Sequence, residues 1–150
     1  MELETLKQWM AAANFSVRED ADGYLELFRS GLEISVAYLP EANLVVCFAP
    51  LLELEGLETA ARLEALEQAL SLNGVGSLPP GCALSYDADG EVVYLLWQES
   101  PEQLSPAAFE NAFGDFETAA VQAQGQLRGA IAEGADGSDD FGASDFGIKV

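Results

Sequence analysis

Apolar residues recur along this chain in two rhythms. Over residues 2–13 they fall every three or four positions. Leu3, Leu6, Met10 and Ala13 share one face, with Trp9 on its shoulder. That spacing predicts an amphipathic helix. Asn14 suits its end, because asparagine tolerates the left-handed conformation. "FSVRE" follows as an extended lead-in, and "DADG" at 20–23 reads as a tight turn. From Tyr24 the rhythm becomes two. Leu25 and Leu27 alternate with Tyr24, Glu26 and Phe28. Leu32, Ile34, Val36 and Tyr38 then alternate with Glu33, Ser35, Ala37 and Leu39. "NLVVCFA", residues 43–49, is apolar at both parities, as a covered strand is. The short links "RSG" and "PEA" make residues 24–49 an antiparallel meander.

The helical rhythm returns over 57–72, with Leu63, Leu66 and Leu70 on one stripe flanked by Ala60 and Ala69. Asn73-Gly74 marks its end. "VGSLPPG" is a loop, and strands at 82–86 and 91–97 form a hairpin around a second "DADG". The last helix has the clearest start. Ser105 is its N-cap and Pro106 its first residue, with Leu104 and Phe109 placed as a hydrophobic staple. Its stripe is Phe109, Ala112, Phe113, Phe116, Ala120, Ala123, Leu127 and Ile131. From Glu133 the composition turns to Gly, Asp and Ser, which predicts a disordered acidic tail over 133–150. The expected order is α-β-β-β-α-β-β-α. This is an α+β fold, an antiparallel twisted sheet packed by three helices in one domain over 1–132.

Charge narrows the partners. Of 150 residues, 26 are acidic and 6 basic, a net charge of -20. Such a surface repels nucleic acid and anionic membranes. No stretch approaches the roughly 20 apolar residues of a membrane span. "MELETLKQWM" has acids where a secretory signal needs bases. Cys47 and Cys82, in apolar strands, are expected as buried free thiols of a reducing cytoplasm. The chain has no histidine, so neither a metal site nor a cofactor is expected.

Local motifs dissolve in their context. Asp-Phe-Gly occurs twice, at 140–142 and 145–147, but a kinase also needs a Gly-rich loop and a His-Arg-Asp catalytic loop. Read as calcium loops, the "DADG" segments put Arg29 and Leu96 where a bidentate Glu belongs, and both lie between strands. Gly74-x-Gly76 closes a helix instead of opening one, unlike a dinucleotide loop. A nucleophilic triad lacks its base. An enzyme is therefore not expected; carboxylate chemistry is the remote alternative. What remains is surface. Three helices must cover five strands, and the central strand is apolar on both faces. Either dimerisation covers the surplus, or part stays open to an extended protein segment, bound by groove contacts or strand addition.

These pieces bear a family likeness. The element order, "LEALEQALSLNGVGSLPPGCALSYDADGEVVYLLWQE", "LSPAAFENAFGDFETAA" and "LKQWM" are together similar to the class I chaperones of type III secretion, over roughly residues 1–132. The longer Gly/Asp-rich tail departs from that pattern. The resemblance implies a homodimer in the bacterial cytoplasm, built on the 57–72 helix and the 82–86 strand. Leu63, Leu66, Leu70, Leu72, Ala83 and Ser85 would form its interface. It also implies an effector-binding groove beside the first helix and early strands, with Trp9, Phe15, Leu25, Leu27, Val45 and Cys47 as candidates. The client would be the N-terminal segment of a secreted effector, held extended, soluble and secretion-competent without ATP. The alternative is a same-fold regulator acting on another chaperone or a transcription regulator. Phe141, Phe146 and Ile148 on the tail would allow transient self-capping of such grooves.

Overall fold

The computed structural model describes the backbone of residues 1–140 and the side chains of residues 1–132. Its elements are α1 (Leu3–Ala12), β1 (Arg18–Glu19), β2 (Leu25–Arg29), β3 (Leu32–Leu39), β4 (Leu44–Glu53), α2 (Thr59–Leu72), β5 (Cys82–Asp87), β6 (Val92–Glu99) and α3 (Pro106–Asp140). The strands form one six-stranded sheet in the order β1-β2-β3-β4-β6-β5. Every neighbouring pair is antiparallel. After β4 the chain passes through α2 and returns at the far edge as β5. β6 then inserts between β4 and β5. The α+β class and element order hold, with one strand more than expected. The lead-in "FSVRE" contributes β1, which pairs Arg18 with Glu26 and Glu19 with Leu25.

The termini of the elements follow local chemistry. Asn14 takes φ 65°, the left-handed conformation that ends α1. Ser105 Oγ accepts from the Ala108 N–H at 3.1 Å, so the expected N-cap of α3 is in place. The first "DADG" is an Asx turn: Asp20 Oδ1 accepts from the N–H groups of Asp22 and Tyr24, both at 2.9 Å. In the second, the positive φ falls on Glu91 (54°) instead of Gly90. β4 runs past its expected stop at Ala49, through Pro50, by means of a bulge between Pro50 and Leu52. A proline cannot donate to the ladder, and a bulge accommodates it. Leu51 drops out of the β4–β6 register there, and Gln124 Nε2 of α3 donates to its carbonyl at 2.9 Å.

The helices cover one face of the sheet. Leu25, Leu27, Ile34, Val36, Val45, Cys47, Ala49, Leu95 and Trp97 join Leu6 and Met10 of α1 and Phe109, Phe113, Phe116 and Leu127 of α3 in a single buried core. Val46 and Ala37, at the opposite parity, are buried but lie outside that core. α2 presents its alanines inward. Ala61, Ala65 and Ala69 are buried, whereas Leu63 and Leu70 are 54% and 73% exposed. Small side chains let α2 lie close over the core, and the leucine stripe is left outside. The tail expected from Glu133 begins within the span of α3, and residues 141–150, with Phe141, Phe146 and Ile148, lie outside the described residues.

Gly81 shows how tightly the β5 entry is fitted. It holds φ +83°, and a Cβ there would sit 2.9 Å from the Gln98 carbonyl oxygen and 3.0 Å from Trp97 Cδ1. Both the strained φ and the clash oppose a side chain, so Gly81→Ala should cost about 1–3 kcal/mol. The check is thermal unfolding, in which Tm should fall by several degrees.

Candidate functional site

Strand alternation divides the predicted groove residues. Leu25, Leu27, Val45 and Cys47 point toward the helices, inside the core. The expected place in an open groove is corrected for Leu25, Val45 and Cys47, which have the parity that α1 and α3 cover, whereas Leu27 also lines the groove beside Phe28 described below. A one-residue choice of face moves the whole set. Trp9 and Phe15 stay half-buried at the rim of α3. Trp9 stacks on Phe109 at 6.0 Å, Phe109 on Phe113 at 6.1 Å, and Phe113 on Phe15 at 4.7 Å between ring centroids. The structure therefore brings these two candidates onto one aromatic row.

That row is anchored by a cation. The Arg29 guanidinium lies 4.6 Å from the Phe15 ring centroid and 5.9 Å from that of Phe113. It donates to Glu117 Oε1 of α3 from Nε at 3.3 Å and from a terminal nitrogen at 3.2 Å. Ser30 Oγ donates to the other carboxylate oxygen at 2.6 Å. The β2–β3 turn, the exit of α1 and the middle of α3 are thus held at one point.

The face that the helices leave uncovered carries residues the sequence reading did not select. Tyr24, Phe48 and Tyr94 form an edge-on aromatic line across it, with centroids 5.8 and 6.4 Å apart. Phe28 is 69% exposed. Beside them lies a groove of about 540 Å³, lined by Val17, Arg18, Glu26, Phe28, Glu33, Ser35, Phe48 and Pro50 among others. The groove follows the sheet edge. The β1–β2 ladder stops at Arg18↔Glu26, leaving Leu27, Phe28 and Arg29 of β2 without a neighbouring strand on that side. Arg18 pairs with Glu26 at 2.5 Å, whereas the exposed Glu33 has no ion-pair partner among the described residues. The signal was present in the alternation, since Phe28 and Phe48 share the parity of Glu26 and Ser35.

The proposed dimer residues form a second surface. Leu63 and Leu70 are exposed on the outer side of α2, and Leu66 and Leu72 are half-buried beside them. Ala83 and Ser85 are partly exposed on edge strand β5. Between the two elements lies a mostly apolar pocket of about 240 Å³, lined by Leu66, Ala69, Leu70, Asn73, Leu84, Ser85, Tyr86 and Val93. The structure brings Leu66, Leu70 and Ser85 together there. Arg62 fixes α2 to this region, donating to the Leu54 carbonyl at 3.0 Å and Glu91 Oε1 at 2.8 Å.

Residues 4–124 match the Tir chaperone protein (CesT) family. The chain belongs to the CesT family. This CesT-family chain shares its fold with several solved structures. One is the crystal structure of the ExsC–ExsE complex: TM-score 0.61, 16% identity, 83% of this chain and 92% of that chain covered. Another is the Yersinia pestis type III secretion chaperone SycH with a fragment of YscM2: TM-score 0.56, 16% identity, coverage 80% and 97%. A third is YbjN of E. coli, described as a candidate transcription regulator: TM-score 0.57, 19% identity, coverage 92% and 94%. No curated protein matches the chain. The CesT family is a family of chaperones, not of enzymes. No helix among the described residues is long and apolar enough to cross a membrane.

Both cysteines of this CesT-family chain are free. Burial pushes the Cys47 thiol well above its ordinary range, and pushes that of half-buried Cys82 up to about 11. The thiolate is the reactive form. At pH 9 the Cys82 thiolate should therefore be scarcer than that of an ordinary thiol by about 50-fold. Titration of the folded protein with a chromogenic disulfide should show slow modification of Cys82, accelerating toward pH 11. Cys47 should react only on unfolding.

Proposed function

We propose that this protein is a cytoplasmic bacterial chaperone that binds the N-terminal segment of a type III secreted effector in extended form. The observation that carries this reading is the uncovered sheet face, where Phe28, Phe48 and the groove beside them meet an incomplete sheet edge. An extended segment can seat alternate apolar side chains on such a face while its backbone follows the edge strand. Holding the client by contact alone needs no nucleotide, and it keeps the segment soluble by covering its apolar side chains. Family membership supports the role, as does the fold shared with a solved type III secretion chaperone. Trp9 and Phe15 extend the client path onto the helical side.

The same reading includes a homodimer. Leu63 and Leu70 of α2 face outward, and half-buried Leu66 lines the pocket against β5. Burying such a stripe against its own copy removes apolar area from water on both sides. The fold shared with YbjN, itself described as a candidate transcription regulator, supports a second reading, in which this chain is a regulatory binding protein that acts on another chaperone or a transcription regulator.

Co-expression with candidate effectors, followed by pull-down and a secretion assay, separates the two. Capture of a secreted protein, and loss of its secretion when this chain is deleted, is the expected result. A partner that is regulatory and never secreted would favour the second reading. Absence of any partner would sink both. Phe28→Asp and Phe48→Asp should weaken client binding by about 10- to 100-fold, the worth of one buried large apolar side chain, with Tm little changed. Leu70→Asp should convert the dimer to a monomer in light scattering.

A further inference from the structure

β5 is an edge strand, and such an edge presents unpaired backbone groups that recruit other strands. The phase of its ladder is set by the Gln98 N–H donating to the Gly81 carbonyl at 3.2 Å. Alternation then turns the backbone groups of Cys82, Leu84 and Tyr86 away from β6. Two of these three positions are already engaged. The Cys82 N–H donates to the Pro79 carbonyl at 3.1 Å. At Leu84, both groups are taken by one side chain: Asn73 Oδ1 accepts from the Leu84 N–H at 2.7 Å, and Asn73 Nδ2 donates to the Leu84 carbonyl at 2.9 Å.

A carboxamide offers an acceptor and a donor on the same edge, as a paired strand does. Asn73 sits at the end of α2, where its own N–H is satisfied by the carbonyls of Ala69 and Leu70. Its side chain is thereby free to reach β5. Asparagine after a helix reads as a stop signal, and that reading hides this second use.

We propose that Asn73 terminates the sheet: its carboxamide stands in for a seventh strand at Leu84 and confines self-association to the side-chain surface of α2 and β5. Edge-to-edge pairing of two β5 strands would have to displace both Asn73 bonds. Contact through Leu66, Leu70 and Tyr86 leaves them intact. The two sheet edges therefore differ in kind. The β5 edge is closed at Leu84 by the protein's own chain, and the β2 edge is left open beyond β1. The choice of which surface pairs copies rests on the homodimer reading above. The closure of Leu84 does not.

The test uses the full chain with Asn73→Ala. Amide exchange at Leu84 should accelerate at least 10-fold, and light scattering over a range of concentrations should show species larger than the wild-type mass. The comparison is with the wild-type mass, be it one copy or two, so failure of the dimer reading leaves this test intact. Unchanged exchange at Leu84 overturns the proposal. So does faster exchange with no growth in mass, which would reduce Asn73 to a brace between α2 and β5. Should that variant not fold, Asn73→Asp keeps an acceptor for the Leu84 N–H and loses the donor to its carbonyl. It should retain Leu84 protection and still grow beyond the wild-type mass. A folded Asn73→Asp of wild-type mass overturns the proposal.

Discussion

Three helices cannot cover both faces of a six-stranded sheet, and the arrangement of this protein follows from that shortage. α3 settles the choice of face. Phe109, Phe113, Phe116 and Leu127 are fully buried against Leu25, Val45, Cys47 and their parity mates. Most of the other parity, Val46 and Ala37 excepted, is left to solvent or to a partner. The exposed aromatic line, the groove beside Phe28 and the acidic side chains around it are consequences of which parity α3 selected. Covering one face only is common in antiparallel sheets, but the uncovered face is then normally polar. Here it holds Phe28, Phe48, Tyr94 and Leu96, the excess on which the proposed client site is built.

The two apolar surfaces differ in construction. On α2 the leucines stand outside because alanines occupy the inner positions, so the stripe is a projecting ridge. On the sheet, the groove is concave and bordered by Glu26, Glu33 and Arg18. A ridge suits a copy of itself, and a bordered groove suits a slender extended guest. The net charge of -20 works alongside both, since like charges disfavour indiscriminate sticking of such patches.

Much of this was legible in the sequence. Periodicity located the three helices and the five longer strands, and the Ser105-Pro106 start of α3 was read to the residue. The stripe of Leu63, Leu66 and Leu70 shows in the helical spacing, but that Leu63 and Leu70 stand outside does not follow from the spacing. Other features were out of reach for definite reasons. "LVVCFAPLLE" is apolar at both parities, so nothing local says which side α3 will take, and Val45 and Cys47 were placed on the wrong one. β1 is two residues long, too short for any alternation to show in the sequence. Pro50 argues locally for a strand end, but the bulge and Gln124 of a distant helix let β4 continue. Asn73 carries its own explanation as a helix stop, so its reach to Leu84 needed the tertiary structure.

The Arg29–Glu117 contact joins groups 88 positions apart in the chain. A link of that span cannot form until the final helix exists, and closing so long a loop is entropically costly before its contacts repay it. On the ribosome, β2, β3 and β4 are therefore complete while α3 is still unmade, with Leu25, Val36 and Cys47 bare on one side and Phe28 and Phe48 on the other. Until α3 is made, these strands lack the kind of cover that the protein is proposed to supply to its client. Arg29, seated against Phe15 and Phe113, ties the β2–β3 turn to that last helix.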